Sequence, residues 1–127
     1  MRLLVDTHLL VWWLAGGARL PRRAREILGD ASNQVYFSAA SVWEVAIKAA
    51  LGKIKVDPEE MLAAFQSEGF EELHVTSRHA AAVMRLPAHH ADPFDRLLVA
   101  QSVVEPMHLL TDDRVLAAYG STVIVAS

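Results

Sequence analysis

The chain has 127 residues, of which 53% are hydrophobic; this suffices for the core of one domain and excludes an intrinsically disordered protein. It contains no cysteine, which excludes disulfide bonds and zinc–thiolate sites and fits a reducing cytoplasm. The formal net charge of −3 excludes a uniformly basic nucleic-acid-binding surface, so such binding needs a local basic patch or metal ions.

The N-terminal segment is apolar and superficially similar to a signal peptide. Asp6 and His8 interrupt it, and only residues 9–14 form a continuous apolar run, which is too short to cross a bilayer. We therefore predict that this segment forms a buried strand followed by a helix. The protein is accordingly predicted to be soluble and cytoplasmic, without membrane association.

Strands and helices are predicted to alternate along the whole chain. This alternation predicts βαβ crossovers and a single α/β domain over residues 1–127, with a central parallel sheet of about five strands between two helical layers. In chain order, the patterns predict a strand at 2–6, helices at 7–15 and 21–31, a strand at 35–38, helices at 40–51 and 58–68, a strand at 70–75, a helix that Thr76 or Ser77 caps and that runs to about 85, a helix at 93–104, a strand at 108–111, a helix at 112–119 and a strand at 122–126.

Acidic residues follow or adjoin several of the predicted strands. In an open parallel sheet such positions meet at the carboxyl ends of the strands, where ligands bind. Each residue also has a structural alternative as a helix cap, with Glu44 completing a capping box that begins at Ser41. Four carboxylates in one crevice repel each other, however, and cations relieve that repulsion. Ligands that are all oxygen favour Mg²⁺ or Mn²⁺. The residues concerned are Asp6, Glu44, Asp95 and Asp113.

The sequence resembles the PIN domains, and within them the toxins of VapBC-type toxin–antitoxin pairs. The resemblance covers essentially the whole chain, and its most specific segment is ADPFDRLLVAQ. The matching segments are LLVDTH (3–8), SAASVWEVAIK (38–48), LGKI (51–54), HADPFDRLLVAQ (90–101) and LLTDD (109–113).

This resemblance implies a PIN-like fold and a metal-dependent endoribonuclease that a cognate VapB-type antitoxin neutralises. It implies Mg²⁺ or Mn²⁺ as the cofactor, RNA as the substrate and a homodimer. Carried over residue by residue, the metal ligands are Asp6, Glu44, Asp95 and Asp113, although Asp112 competes with Asp113 for the fourth position. Thr111 supports the fourth ligand, and Asp92 acts as a helix cap.

Several other polar residues are candidates for supporting or substrate-binding roles. Thr7 and Ser41 are placed to donate hydrogen bonds to the ligand carboxylates. Lys48 is a candidate for substrate contact, but it also has the spacing of a helical ion pair with Glu44. Histidine ligation of the metal is not predicted. Further candidates for contact with RNA phosphates are Arg96, Arg22 and Arg23, each with a solvated surface arginine as the alternative.

Three other functions compete with a toxin ribonuclease. One is a PIN nuclease that processes RNA outside a toxin–antitoxin pair, and another is a binding module that keeps the fold without catalysis. Acidic residues at all four ligand positions argue against the binding module. The third is a phosphoacceptor receiver domain, which requires an Asp at the end of the third strand, and residues 70–75 lack one.

Overall fold

Five strands form one sheet in the computed structural model, which describes all 127 residues. The strands are β1 (Arg2–Val5), β2 (Gln34–Ser38), β3 (Glu71–Leu73), β4 (His108–Thr111) and β5 (Val123–Val125). All neighbours are parallel, and their order across the sheet is β3-β2-β1-β4-β5. The predicted central parallel sheet is therefore confirmed.

Helices connect the strands and cover both faces of the sheet. None of them combines the length and the apolar character that a membrane span requires. The α-helices are α1 (Thr7–Leu14), α2 (Arg22–Gly29), α3 (Ala39–Ala50), α4 (Pro58–Glu68), α5 (Ser77–Ala82) and α6 (Pro93–Val104), and two 3-10 helices cover Val83–Arg85 and Arg114–Tyr119.

Most predicted elements differ from the observed ones by one or two residues at an end, and the helix predicted to end at 85 is divided into α5 and a 3-10 helix. The third strand is confined to Glu71–Leu73, and it lies at an edge of the sheet with β2 as its one partner. The segment predicted as a helix at 112–119 is a 3-10 helix that begins at Arg114, because the Asp113 side chain accepts the backbone N–H of Val115. Helix α2 ends at Gly29, since Asp30 forms a side-chain turn with Ser32.

The hydrophobic core has two parts, one on each side of the sheet. Side chains alternate between the faces along each strand. Val5 and Leu110 belong to the larger cluster, which includes residues of α1, α2, α3 and α4, whereas Leu4 and Leu109 belong to the cluster with α6. The domain is therefore a three-layer α/β/α arrangement, as predicted.

The N-terminus of α4 offers a test of this description. Asp57 lies at the N-cap and accepts the backbone N–H of Glu59 at 2.9 Å. We expect Asp57→Ala to lower the free energy of unfolding by about 1 kcal/mol and the melting temperature by about 4 °C. Thermal unfolding measures both, with Glu68→Ala at the other end of α4 as the control. Equal losses in both variants would contradict the capping assignment.

Candidate metal centre

The centre of the sheet contains a topological switch point. From β1 the chain crosses to β2 and β3 on one side, and it later returns to β4 and β5 on the other. Open α/β sheets bind ligands outside the carboxyl ends of the strands at such points. Asp6 directly follows β1, and Thr111 ends β4. The Thr111 hydroxyl donates to Asp6 Oδ2 at 2.5 Å, so the two strand ends meet at this carboxylate.

Asp6 is both a helix cap and a buried acid. Its Oδ1 accepts the backbone N–H of His8 at 3.1 Å, which caps α1 as the structural alternative predicted. The residue is only 1% exposed. Burial raises the pKa of Asp6, although the hydrogen bonds from Thr111 and His8 oppose that rise. A carboxylate that is costly to ionise in this setting is stabilised by a nearby cation.

Glu44 provides a second buried carboxylate, on α3. Its Oε2 accepts a hydrogen bond from Lys48 Nζ at 2.7 Å, whereas its Oε1 is buried without a hydrogen-bond partner. The capping-box alternative for Glu44 is wrong, because α3 begins at Ala39 with Ser38 as its N-cap. Glu44 is 3% exposed, so its side chain lies in the interior, and one of its oxygens is free to accept a ligand.

Thr7 and Ser41 lie beside these carboxylates but form a hydrogen bond with each other. The Thr7 hydroxyl donates to Ser41 Oγ at 2.8 Å, and both residues are buried. The Thr7 hydroxyl therefore donates its hydrogen bond to Ser41 and not to Asp6. This bond joins the start of α1 to α3, and so fixes Asp6 relative to Glu44.

Asp95 is in the first turn of α6, which begins at the switch point. The cap is Asp92, whose Oδ1 accepts the backbone N–H groups of Phe94 at 2.8 Å and Asp95 at 3.1 Å. The predicted roles of Asp92 as a cap and of Pro93 as the first helical residue are confirmed. Burial, together with the smaller effects of the charges of Asp6, Asp92 and Glu44, raises the pKa of Asp95 to about 7. That influence identifies one shared acidic cluster.

Four of the carboxylates form two groups, each with a histidine, and Glu44 belongs to neither. In each group, the ligand atoms all lie within 4.8 Å of one another. The first group contains Asp6, His8 and Asp112, and the second contains His90, Asp95 and Asp113. Asp113 is fixed further by its own backbone N–H, which donates to Thr111 Oγ1 at 3.1 Å. Both acids of the Asp112–Asp113 pair therefore border the cluster, on different sides.

His90 is a site residue that the sequence prediction did not include. Its Nε2 lies 3.0 Å from Asp113 Oδ2 and 3.5 Å from Asp95 Oδ2. One feature of the sequence indicates that His90 is near the site. It lies two residues before the Asp92 cap, at the same end of α6 as Asp95. His89, its neighbour in sequence, instead packs edge-to-face on Tyr119.

The four cationic candidates have different surroundings. Lys48 pairs with Glu44, and this hydrogen bond raises the pKa of Lys48. The guanidinium of Arg96 donates to the backbone carbonyls of Val83 and Pro87, both at 3.0 Å. Arg22 pairs with Glu26 on the exposed face of α2, and Arg23 is exposed beside it without a hydrogen bond. Substrate contact by these four residues stays a prediction.

The residues at the switch point fit a hard divalent cation. The donors are predominantly carboxylate oxygens, which Mg²⁺ and Mn²⁺ prefer. The Oε1 of Glu44 is buried without a hydrogen-bond partner, although burying a polar atom without one is costly. Asp6 and Asp112 meet in one group, and Asp95 and Asp113 meet in the other. Glu44 belongs to neither group, but its charge acts on Asp95.

Comparisons with known proteins place this geometry in context. The family profile described as PIN domain matches residues 3–121. The chain is similar to Ribonuclease VapC22 of Mycobacterium tuberculosis, with 29% identity over 118 residues, or 91% of this chain and 90% of that protein. Its fold is similar to VapBC from Salmonella typhimurium bound to DNA, with a TM-score of 0.72, 16% identity and coverage of 100% and 99% of the two chains. It is also similar to VapBC2 from Rickettsia felis bound to a promoter DNA fragment, with a TM-score of 0.71, 15% identity and coverage of 98% and 97%.

Proposed function

The chain belongs to the PIN domain family, and from that premise we propose that it is a metal-dependent endoribonuclease. The observation that carries the proposal is the buried acidic cluster at the switch point, with its unpartnered Glu44 Oε1. The similarity to a ribonuclease over most of the chain supports RNA as the substrate. Residues 1–127 act as one domain, in the cytoplasm.

The side chains of the cluster have separate parts in the reaction. Asp6, Glu44 and Asp95 would hold the cation, and Asp113 would complete the cluster or orient water. A bound Mg²⁺ or Mn²⁺ lowers the pKa of a coordinated water and stabilises charge on the phosphoryl oxygens. Thr111 holds the Asp6 carboxylate in one orientation through the 2.5 Å hydrogen bond. Burial of Asp6 strengthens its attraction to a cation, because water screens the charges less.

Cleavage of a mixed pool of structured cellular RNAs tests the activity directly. The purified protein is assayed with Mg²⁺, Mn²⁺ and EDTA, beside Asp6→Asn prepared identically. We expect cleavage that requires metal and is absent in the variant. Equal cleavage by the wild type and the variant would assign the activity to contamination. Absence of cleavage together with absence of Mn²⁺ binding would leave the PIN fold without catalysis.

The nuclease is further proposed to be a toxin that a VapB-type antitoxin neutralises. The similarity in fold to chains of VapBC complexes supports this pairing. The antitoxin surface is the groove between α1 and α3, where a cavity of about 460 Å³ is lined by residues of these two helices and of the loops that follow them. The cavity reaches Thr7 and Lys48, at the edge of the acidic cluster. A peptide in this groove therefore blocks access to the metal site.

Growth of a bacterial host tests the toxin assignment. Induced expression of the wild type is expected to arrest growth, and Asp6→Asn is expected to leave growth unaffected. Coexpression of the short open reading frame next to the gene is expected to restore growth and to yield a copurifying complex. An RNA-processing nuclease would instead leave growth unaffected at this level of expression.

The homodimer is proposed to form through an apolar stripe on α3. Trp43, Ile47 and Leu51 are 61%, 37% and 65% exposed and recur every four residues, so they share one helix face. Trp43 packs edge-to-face on Phe94 with ring centroids 5.3 Å apart. Trp43 and Phe94 directly precede Glu44 and Asp95 in sequence, so this face lies on the two helices that carry these acids.

Trp43→Ala is expected to weaken dimerisation about 30-fold, which corresponds to about 2 kcal/mol for an aromatic residue at the centre of an interface. Light scattering across a dilution series measures the dissociation constant. Met84→Ala is the matched control, because Met84 is 90% exposed and lies outside the stripe. A monomeric wild type at all concentrations, or equal weakening in both variants, would contradict this interface.

A further inference from the structure

The ring of His90 points into the acidic cluster from the loop before α6. It lies 3.0 Å from Asp113 Oδ2 and 3.5 Å from Asp95 Oδ2, and the side chain is only 20% exposed. We propose that His90 is a positioning residue, which donates its Nε2–H to the Asp113 carboxylate and thereby fixes this carboxylate for metal binding. This inference rests on the proposed metal-dependent function.

The other ring nitrogen determines the role of Nε2. His90 Nδ1 accepts the backbone N–H of Asp92 at 3.0 Å, so Nδ1 carries no hydrogen. The hydrogen of a neutral ring is then on Nε2, which faces the carboxylates as a donor. A nitrogen that carries a hydrogen has no lone pair available for a metal ion. The ring therefore acts on the carboxylates and is not itself a ligand.

The backbone of His90 is held in place by two residues of other elements. Its N–H donates to the Tyr119 hydroxyl oxygen at 3.1 Å. Arg96 Nη1 donates to the same oxygen at 3.2 Å and to the Pro87 carbonyl at 3.0 Å. Arg96 therefore joins the loop that carries His90 to α6, which carries Asp95, so that the ring and the carboxylate keep their relative position.

Asp113 has both carboxylate oxygens engaged in this arrangement. Oδ1 accepts the backbone N–H of Val115 at 3.0 Å, and Oδ2 accepts from His90. Two donors from different segments fix the plane of the carboxylate, and each oxygen retains a lone pair for a cation. Partners of ligand carboxylates typically change metal affinity about 10- to 100-fold when they are removed.

Binding of Mn²⁺ to the purified protein tests the proposal. His90→Ala is expected to weaken the affinity about 10- to 100-fold, as measured by titration calorimetry. His90→Gln places an amide N–H near the position of Nε2 and is expected to recover part of the loss. The matched control is His74→Ala, because His74 also pairs with a carboxylate, that of Glu72 at 3.3 Å, but on an exposed surface. An affinity of His90→Ala equal to that of the wild type would overturn the proposal.

Spectroscopy of the wild type distinguishes a positioning residue from a ligand without any variant. The ¹⁵N spectrum of the histidine rings is expected to show the Nε2–H tautomer for His90, both before and after saturation with Mg²⁺. Pulsed electron paramagnetic resonance of bound Mn²⁺ is expected to show no directly bonded nitrogen. A hydrogen on Nδ1, or a nitrogen bonded to Mn²⁺ that disappears in His90→Ala, would overturn the proposal.

These measurements separate this inference from the proposed function. A wild type that binds no Mn²⁺ overturns both. A wild type that binds Mn²⁺ and cleaves RNA, with an unchanged affinity in His90→Ala, overturns only the role of His90. If His90→Ala does not fold, the calorimetric comparison rests on His90→Gln, whose affinity is then expected to fall between those of the wild type and Asp6→Asn.

Discussion

Glu44→Gln is expected to lower the rate of metal-dependent RNA cleavage about 10³-fold, comparable with the loss of one electrostatic contact to a transition state. The substitution keeps the size and shape of the side chain but removes its charge. Glu44 is 3% exposed, and its Oε1 is buried without a hydrogen-bond partner. The amide cannot hold a divalent cation with comparable strength, so the effect falls on catalysis and metal binding.

The control for this experiment is another glutamate in a helical ion pair. Glu26 pairs with Arg22 at 3.1 Å with the same four-residue spacing as Glu44 with Lys48, but on an exposed surface. Glu26→Gln is expected to cleave RNA at the wild-type rate. Initial rates are measured at saturating Mg²⁺ for folded proteins, as checked by circular dichroism. A Glu44→Gln variant with near-wild-type activity would remove Glu44 from the metal site.

The apparent affinity for Mn²⁺ is expected to fall about tenfold for each pH unit below about 7, because Asp95 must lose its proton before it binds a cation. Burial and the neighbouring acids raise the pKa of Asp95 to about 7, from an ordinary value of 3.8. Titration calorimetry at pH 5.5, 6.5 and 7.5 measures the dependence. An affinity that is constant over this range would contradict the assignment of Asp95 as the titrating ligand.

The raised pKa of Asp95 also predicts how the stability of the metal-free protein depends on pH. Between about pH 4 and pH 7 the folded state keeps a proton on Asp95 that the unfolded state has lost, so stability falls as the pH rises through this window. The melting temperature of the wild type is expected to fall as the pH rises from about 4 to about 7, and Asp95→Asn is expected to make this fall smaller. Asp30→Asn is the control, since hydrogen bonds from Ser32 lower the pKa of Asp30 and place its effect at lower pH.

Much of the fold was predictable from local patterns. Asp57 and Asp92 mark helix starts because an acceptor side chain, followed by proline at the first helical position, satisfies free N–H groups there. Both starts were predicted correctly. The short apolar run within residues 2–6 predicted a strand that is buried on both faces, and Leu4 and Val5 do lie in different core clusters. These signals depend on neighbours in sequence, and no contact between distant segments is needed to interpret them.

Predictions that depended on local patterns alone were less successful for the site. Ser41 has the spacing of a capping box with Glu44, but Ser38 caps α3 and Ser41 instead accepts a hydrogen bond from Thr7, 34 residues away. The predicted site residues do not include His90, because the two carboxylates that it contacts, those of Asp95 and Asp113, belong to other segments, α6 and the residues after β4. A hydrogen bond between segments that are distant in sequence leaves no periodic pattern.

The sequence by itself determined the alternation of strands and helices, the acidic positions at the strand ends and the resemblance to PIN domains. These follow from residue type and spacing along one chain. The tertiary structure alone decided that Thr111 holds Asp6, that Glu44 Oε1 has no partner and that His90 reaches Asp113. The physical reason is that burial, pKa and hydrogen-bond partners depend on which segments pack together. The sheet brings residues as far apart as Asp6 and Thr111 into contact.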